Sequence, residues 1–259
     1  MTHMGKIRTN NEDSVSFVRP TDNDALQTHG LLALLADGMG GHEGGELASK
    51  LAVDEITRTY YDSNEPPPVA LASAFRNANR VIFRAARANR KLKGMGTTCI
   101  AVALCNDRAW WAWIGDSRLY LLRGGQIYRM SEDHTVVQDM MRRGLLTREE
   151  AHNHRDRGVL ERALGTRETA EFELGSDAIQ LALGDRLLLC SDGLHDLVDD
   201  DEIARCGTDG PVNQGAERLL DLALELGGHD NITVVLLEAN PASSQPKRPL
   251  ARTREQVIA

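Results

Sequence analysis

No stretch of this 259-residue chain approaches the roughly 18 consecutive apolar residues that a membrane-spanning helix needs. The opening residues, MTHMGKIRTNNED, hold no apolar segment of the kind a secretory leader carries, so none is expected. Cysteine is sparse. Cys99, Cys105, Cys190 and Cys206 form no CxxC pair, and two of them lie in apolar runs where buried thiols are expected. A basic excess is also missing: the formal net charge is −8, which argues against a nucleic-acid-binding role. No internal repeat and no interior linker divides the chain. The expectation is a reduced, cytoplasmic protein that binds neither membrane nor nucleic acid, and we expect a monomer. A hydrophobic share of 41% is enough for one domain with a sizeable core.

Apolar runs predict core strands over Leu31–Ala36, Thr98–Leu104, Ala109–Ile114, Leu119–Leu122, Arg186–Cys190 and Ile232–Leu237, with a short one at Val15–Val18. Gly124-Gly125 predicts a hairpin into Gln126–Met130. Leu47, Leu51, Ile56 and Tyr60 have helical spacing, which predicts a helix over Gly44–Tyr61. A second helix starts at the prolines of 66–68, with Val69, Ala72, Phe75, Ala78, Ile82 and Ala86 along one face. Asn213–Leu226 reads as a third, ended by Gly227-Gly228. From Glu132 to about Ala170 the chain is polar, with helix in short pieces. Strands in meanders and helices in pairs point to an α+β layered fold. We read residues 1–239 as one domain and 240–259, rich in Pro, Ser and Arg, as a disordered tail.

The stretch LLALLADGMGGHEGGELAS, from Leu31 to Ser49, delivers a carboxylate to the end of a buried strand and follows it with glycines. Either the glycines cradle phosphate with backbone N–H groups, or they let backbone approach whatever the carboxylate holds. A dinucleotide fingerprint using Gly38 and Gly40 would place Glu43 at its third glycine and Asp37 beside the pyrophosphate, and no GK[ST] follows. The carboxylate pattern, by contrast, recurs. WWAWIG ends on Asp116, RLLLCS ends on Asp192, and Asp230 opens the strand ITVVLLE. A lone Asp-Gly after a strand is usually a turn. Several such strand ends can converge if the strands pack side by side, and converging anions need cations among them. Hard cations such as Mg²⁺ and Mn²⁺ prefer oxygen ligands. The pattern therefore predicts a two-metal carboxylate site of the kind that activates water against phosphate esters.

RTNNED (8–13), DGMGG (37–41), GTT (96–98), IGDSR (114–118), SEDHT (131–135), SDGL (191–194) and DNIT (230–233) resemble, in order, the motif series of the metal-dependent protein phosphatases, the type 2C serine/threonine phosphatases. The DGMGGH form is similar to the bacterial branch. The resemblance implies a β-sandwich of two antiparallel sheets flanked by helices, αββα in four layers, with a dinuclear Mn²⁺ or Mg²⁺ centre at one edge. It implies hydrolysis of phosphoserine and phosphothreonine in proteins, opposing a partner serine/threonine kinase. Two alternatives stand beside it: a small-molecule phosphoester hydrolase, and a non-catalytic regulatory domain of the same fold. The intact Asp37, Asp192 and Asp230 count against the second of these.

By the same resemblance Asp37 bridges both core metals and Gly38 offers one of them its carbonyl. Asp192 and Asp230 ligate the second metal. Glu12 and Asp13 hold metal-bound waters, with Asp13 counted in the metal site. Asp116, sharing Asp192, ligates a weaker third ion. Arg8 grips the substrate phosphate, a role suited to a guanidinium that bonds two oxygens at once. Met39 stands where eukaryotic relatives carry the histidine proposed as general acid, and methionine has no proton to give. His42 is the nearest candidate; the alternative is a helix-start residue with a local hydrogen bond. His152 and His154 read as solvated, and His229 as shaping the loop before Asp230. The charged stretch Met140–Thr169 is where bacterial relatives place a flap.

Overall fold

A computed structural model describes residues 1–40 and 42–240, without the side chains of His42 and Glu43. The strands are β1 (Thr2–His3), β2 (Asp13–Val18), β3 (Leu31–Met39), β4 (Gly96–Thr97), β5 (Cys99–Cys105), β6 (Arg108–Ile114), β7 (Arg118–Arg123), β8 (Gln126–Arg129), β9 (Glu173–Leu174), β10 (Ile179–Gln180), β11 (Arg186–Cys190) and β12 (Ile232–Glu238). The helices are α1 (Asn23–Thr28), α2 (His42–Tyr61), α3 (Pro67–Ala88), α4 (Val136–Arg142), α5 (Arg148–His152), α6 (Asp192–His195), α7 (Asp200–Thr208) and α8 (Val212–Glu225).

The strands form two antiparallel sheets. One runs β1-β12-β11-β7-β8; the other runs β10-β6-β5-β3-β2, with β4 on β3 and β9 on β6. Side chains alternate across each strand, so the continuous apolar run of β3 serves two cores. Leu32, Leu34 and Ala36 pack on Ile56 and Tyr60 of α2 and on Phe75 and Ile82 of α3. Ala33 and Leu35 turn the other way and join Val102, Leu121, Leu189 and Val235 between the sheets. A third core lies where Leu188, Val234 and Leu236 meet Ile203 of α7 and Leu219 of α8. The order helix, sheet, sheet, helix is the expected four-layer αββα arrangement. All four cysteines are buried free thiols. Among the described residues no helix is long and apolar enough to cross a membrane.

Three expectations change. The strand expected to stop at Ala36 runs on to Met39, because Gly38 and Met39 pair with Thr97 and Gly96 of β4. Helix α7 had no counterpart in the sequence reading. It follows the N-cap Asp199, whose side chain accepts from the Glu202 N–H, and buries Ile203, Ala204 and Cys206. The two-residue strands β1, β4, β9 and β10 are too short to carry a period and exist only through their partners. Of the expected disordered tail, residues 241–259 lie outside the described residues.

Candidate metal centre

The sheet topology brings the candidate carboxylates to one edge of the sandwich. Antiparallel pairing of β2 with β3 sets Asp13 directly opposite Asp37. Antiparallel pairing of β11 with β12 puts the end of one beside the start of the other, so Asp192 and Asp230 flank the same sheet end. Asp116 sits in the turn that carries the chain from β6 in one sheet to β7 in the other.

Each carboxylate is held differently. Asp13 is buried, and its Oδ2 accepts from Thr233 Oγ1 (2.6 Å) and Ser191 Oγ (3.1 Å). Backbone at Asp37 is fixed on both sides: its N–H donates to Thr98 Oγ1 (3.1 Å), and its carbonyl accepts from Thr97 Oγ1 (2.8 Å). The Asp116 carbonyl accepts from His195 Nε2 (3.0 Å), which ties its turn to the helix that begins with Asp192. His195 thus supports the site, although the sequence reading passed over it.

Burial pushes the Asp13 carboxyl up to about 6, against the pull of its hydroxyl donors. Burial also pushes Asp192 up to about 6, with the charge of Asp230 adding to it. Asp37 and Asp116 stand well above the ordinary carboxylate range, through burial first and then neighbouring aspartates. Asp37 feels Asp13, Asp192, Asp116 and Asp230 together, so the aspartates the sequence set far apart form one electrostatic unit.

Among the described residues no trio of His, Cys, Asp or Glu side chains is already drawn around one point in ion-binding geometry. Arg8 supplies part of the charge that offsets the aspartates. The donor set nevertheless suits hard divalent ions. Every side-chain donor is a carboxylate oxygen, and two of them, Asp13 Oδ1 and Asp192 Oδ1, are buried with no hydrogen-bond partner. A buried, unpartnered carboxylate oxygen is costly unless a cation satisfies it. Hollows of about 370 Å³ beside Trp113 and Arg129, and of about 450 Å³ between α2 and α3, contain none of these aspartates. Charge convergence locates the site.

Gly38 has a reason to lack a side chain beyond the expected use of its carbonyl. A Cβ there would run into the Gly45 carbonyl of α2 and come within 2.7 Å of the Glu12 carbonyl. A Cβ on Gly45 would in turn strike the Glu12 carboxylate. The glycines let α2, β3 and the segment before β2 close on one another, which favours the second of the two readings of the loop. Arg8 donates from Nη2 to Asp230 Oδ2 (2.6 Å) and is about half exposed. That hydrogen bond is the main cause holding its guanidinium above its ordinary value. The His42 side chain lies outside the described residues. His152 and His229 are exposed; His154 Nδ1 accepts from the Asp156 N–H (3.2 Å).

Asn79 and Asn231 were also passed over. Asn79 falls on the apolar face of α3, four residues after Phe75, and a polar residue there was the available signal. Its Nδ2 donates to the Arg167 and Glu168 carbonyls, and its Oδ1 accepts from the Gly165 N–H. It thereby anchors the end of the charged stretch 140–169. Leu164 in that stretch pairs with Thr97, which holds Asp37. The short helical pieces expected between Glu132 and Ala170 include α4 and α5.

A family profile described as "Protein phosphatase 2C" matches residues 8–221. The serine/threonine protein phosphatase PstP of Mycobacterium tuberculosis is 40% identical over 237 residues, covering 90% of this chain and 43% of that protein. The chain thus spans less than half the length of that curated relative. Protein phosphatase PhpP of Streptococcus pneumoniae is 33% identical over 250 residues, covering 95% of this chain and 98% of that protein. A crystal structure of the catalytic domain of serine threonine protein phosphatase PstP, in complex with 2 manganese ions, superposes with a TM-score of 0.76 at 37% identity. It covers 92% of this chain and 95% of that one.

Proposed function

Because the chain belongs to the protein phosphatase 2C family, we propose that it hydrolyses phosphoserine and phosphothreonine in proteins, opposing a serine/threonine kinase. The observation that carries this reading is the set of buried and half-buried, mutually repelling aspartates at one sandwich edge, two of them with a buried, unpartnered oxygen. Residues 1–239 form the proposed catalytic unit.

Two Mn²⁺ or Mg²⁺ ions bound there would acidify water toward neutral pH and offset charge on the phosphoryl oxygens. Asp37 would bridge the two, with the Gly38 carbonyl on one and Asp192 and Asp230 on the other. Asp13 and Glu12 would accept hydrogen bonds from the water around them. Asp116, with Asp192, would hold a weaker third ion. Arg8 already reaches the site on the Asp230 carboxylate. Its remaining N–H groups would grip two phosphoryl oxygens and stabilise the charge that develops on them. His42 is the proposed donor to the leaving alkoxide. No cysteine nucleophile is needed, consistent with every thiol being buried.

The test is release of phosphate from a phosphothreonine peptide after chelation and after Mn²⁺ is restored. Activity should vanish in EDTA and return with metal, and Asp37→Asn should abolish it while the chain stays folded. Full turnover in EDTA would overturn the reading.

A further inference from the structure

Asn231 follows Asp230 and is 5% exposed. Its side chain spends its hydrogen bonds on one distant segment. Nδ2 donates to the carbonyls of Met4 and Asn10 (2.9 Å each), and Oδ1 accepts from the Glu12 N–H (2.8 Å). The backbone N–H of Asn231 donates to Asp230 Oδ1 (2.8 Å). Residues 4–12 contain Arg8 and Glu12 and cross over the start of β12. Gly5 makes that crossing possible, since its φ is +81° and a Cβ there would collide with the Asp230 carbonyl. Asn231 therefore closes a loop whose middle carries Arg8, and it does so next to the carboxylate that Arg8 contacts.

We propose that Asn231 is a positioning residue that sets the reach of Arg8, so that phosphate binding depends on a side chain that touches neither phosphate nor metal. The proposal rests on the phosphatase reading for its phosphate arm. An amide suits the position because both a double donor and an acceptor are required. Aspartate would keep the acceptor, lose both donors, and set an anion against the Met4 and Asn10 carbonyls.

The experiment compares the full chain with Asn231→Ala, Asn231→Asp and Asn231→Ser in Mn²⁺. Inorganic phosphate serves as a competitive inhibitor of phosphothreonine-peptide hydrolysis, and Mn²⁺ binding is measured by calorimetry. Loss of a preorganised arginine should raise the phosphate inhibition constant and the peptide KM by about tenfold or more in the Ala and Asp variants, with Ser between them and wild type. Mn²⁺ affinity should move less than about threefold, because Asp230 keeps its backbone donor. In an Arg8→Ala background the further loss from Asn231→Ala should nearly disappear. Hydrogen exchange should quicken at amides 5–11 in Asn231→Ala, a readout that stands whether or not the protein is a phosphatase. If wild type neither hydrolyses the peptide nor binds phosphate, the functional reading fails, and exchange alone judges the loop. A lowered Tm with unchanged phosphate affinity would overturn the proposal. So would full additivity with Arg8→Ala, a parallel loss of Mn²⁺ affinity, or wild-type behaviour of Asn231→Asp.

Discussion

The metal-free protein should lose stability as pH rises from 5 to 7, against the usual trend for acidic groups held ionised by partners. In the unfolded chain the Asp13 and Asp192 carboxyls release their protons near 3.8; in the fold they keep them to about 6. Below the unfolded value both states are protonated and nothing is lost. Between the two values the unfolded chain has released protons that the fold keeps, so stability falls as pH rises from about 3.8, and the loss levels off once the folded groups ionise above about 6. For each group this lift is worth on the order of 3 kcal/mol. For a chain of this size 1 kcal/mol corresponds to about 2–4 °C in Tm. One such group therefore accounts for roughly 6–12 °C over its whole titration, of which about half, roughly 3–6 °C, falls between pH 5 and pH 7. Arginine-held carboxylates such as Asp133, at about 2 despite its burial, change charge below this window. His134, lowered by burial and by Arg162, opposes the trend, so the net drop should be smaller than the sum over the aspartates. The assay is thermal unfolding in EDTA at pH 5, 6 and 7, repeated with Mn²⁺ and with Asp13→Asn. Mn²⁺ should recover the loss at pH 7, and Asp13→Asn should flatten the slope in EDTA. A metal-free Tm that climbs from pH 5 to pH 7, with the same slope in Asp13→Asn, would refute the argument.

Asp116→Ala should keep the core ions by calorimetry and lose much of its turnover; loss of all bound metal would instead place Asp116 in the core. His42→Ala should slow a phosphoserine peptide far more than p-nitrophenyl phosphate, since general acid catalysis gives roughly 10²–10⁴-fold only where the leaving group needs a proton. Equal losses on both substrates would reject the acid role.

Some of this protein was determined by sequence alone. The runs LLALLA, LLLC and VVLL are apolar at every position, the pattern of a strand buried on both faces. Such strands, together with the amphipathic stripe of α3, point to an α+β layered fold, and the placement of helices outside two sheets was implied by the motif resemblance. Asp37, Asp116, Asp192 and Asp230 were legible as a recurring local pattern, a carboxylate at the edge of a core strand. Helix α7 was not legible in the same way: its nine residues open on acidic side chains, and its short apolar face gains meaning only against β8 and α8.

The tertiary structure decided everything that depends on which residues meet. The register of β2 on β3 sets Asp13 against Asp37, and a slip of one residue would turn both away from each other. Gly38, Gly45 and Glu12 fit together because three separate segments close on one point, and no spacing within any one of them announces it. Arg8 lies 222 residues from the carboxylate it touches, and Asn231 bonds a segment 219 residues from its own position. Local patterns record what each residue can do in its own turn of chain. Hydrogen bonds reach about 3 Å and charge coupling about 10 Å through space, and only the packing of the two sheets determines which distant side chains come that close.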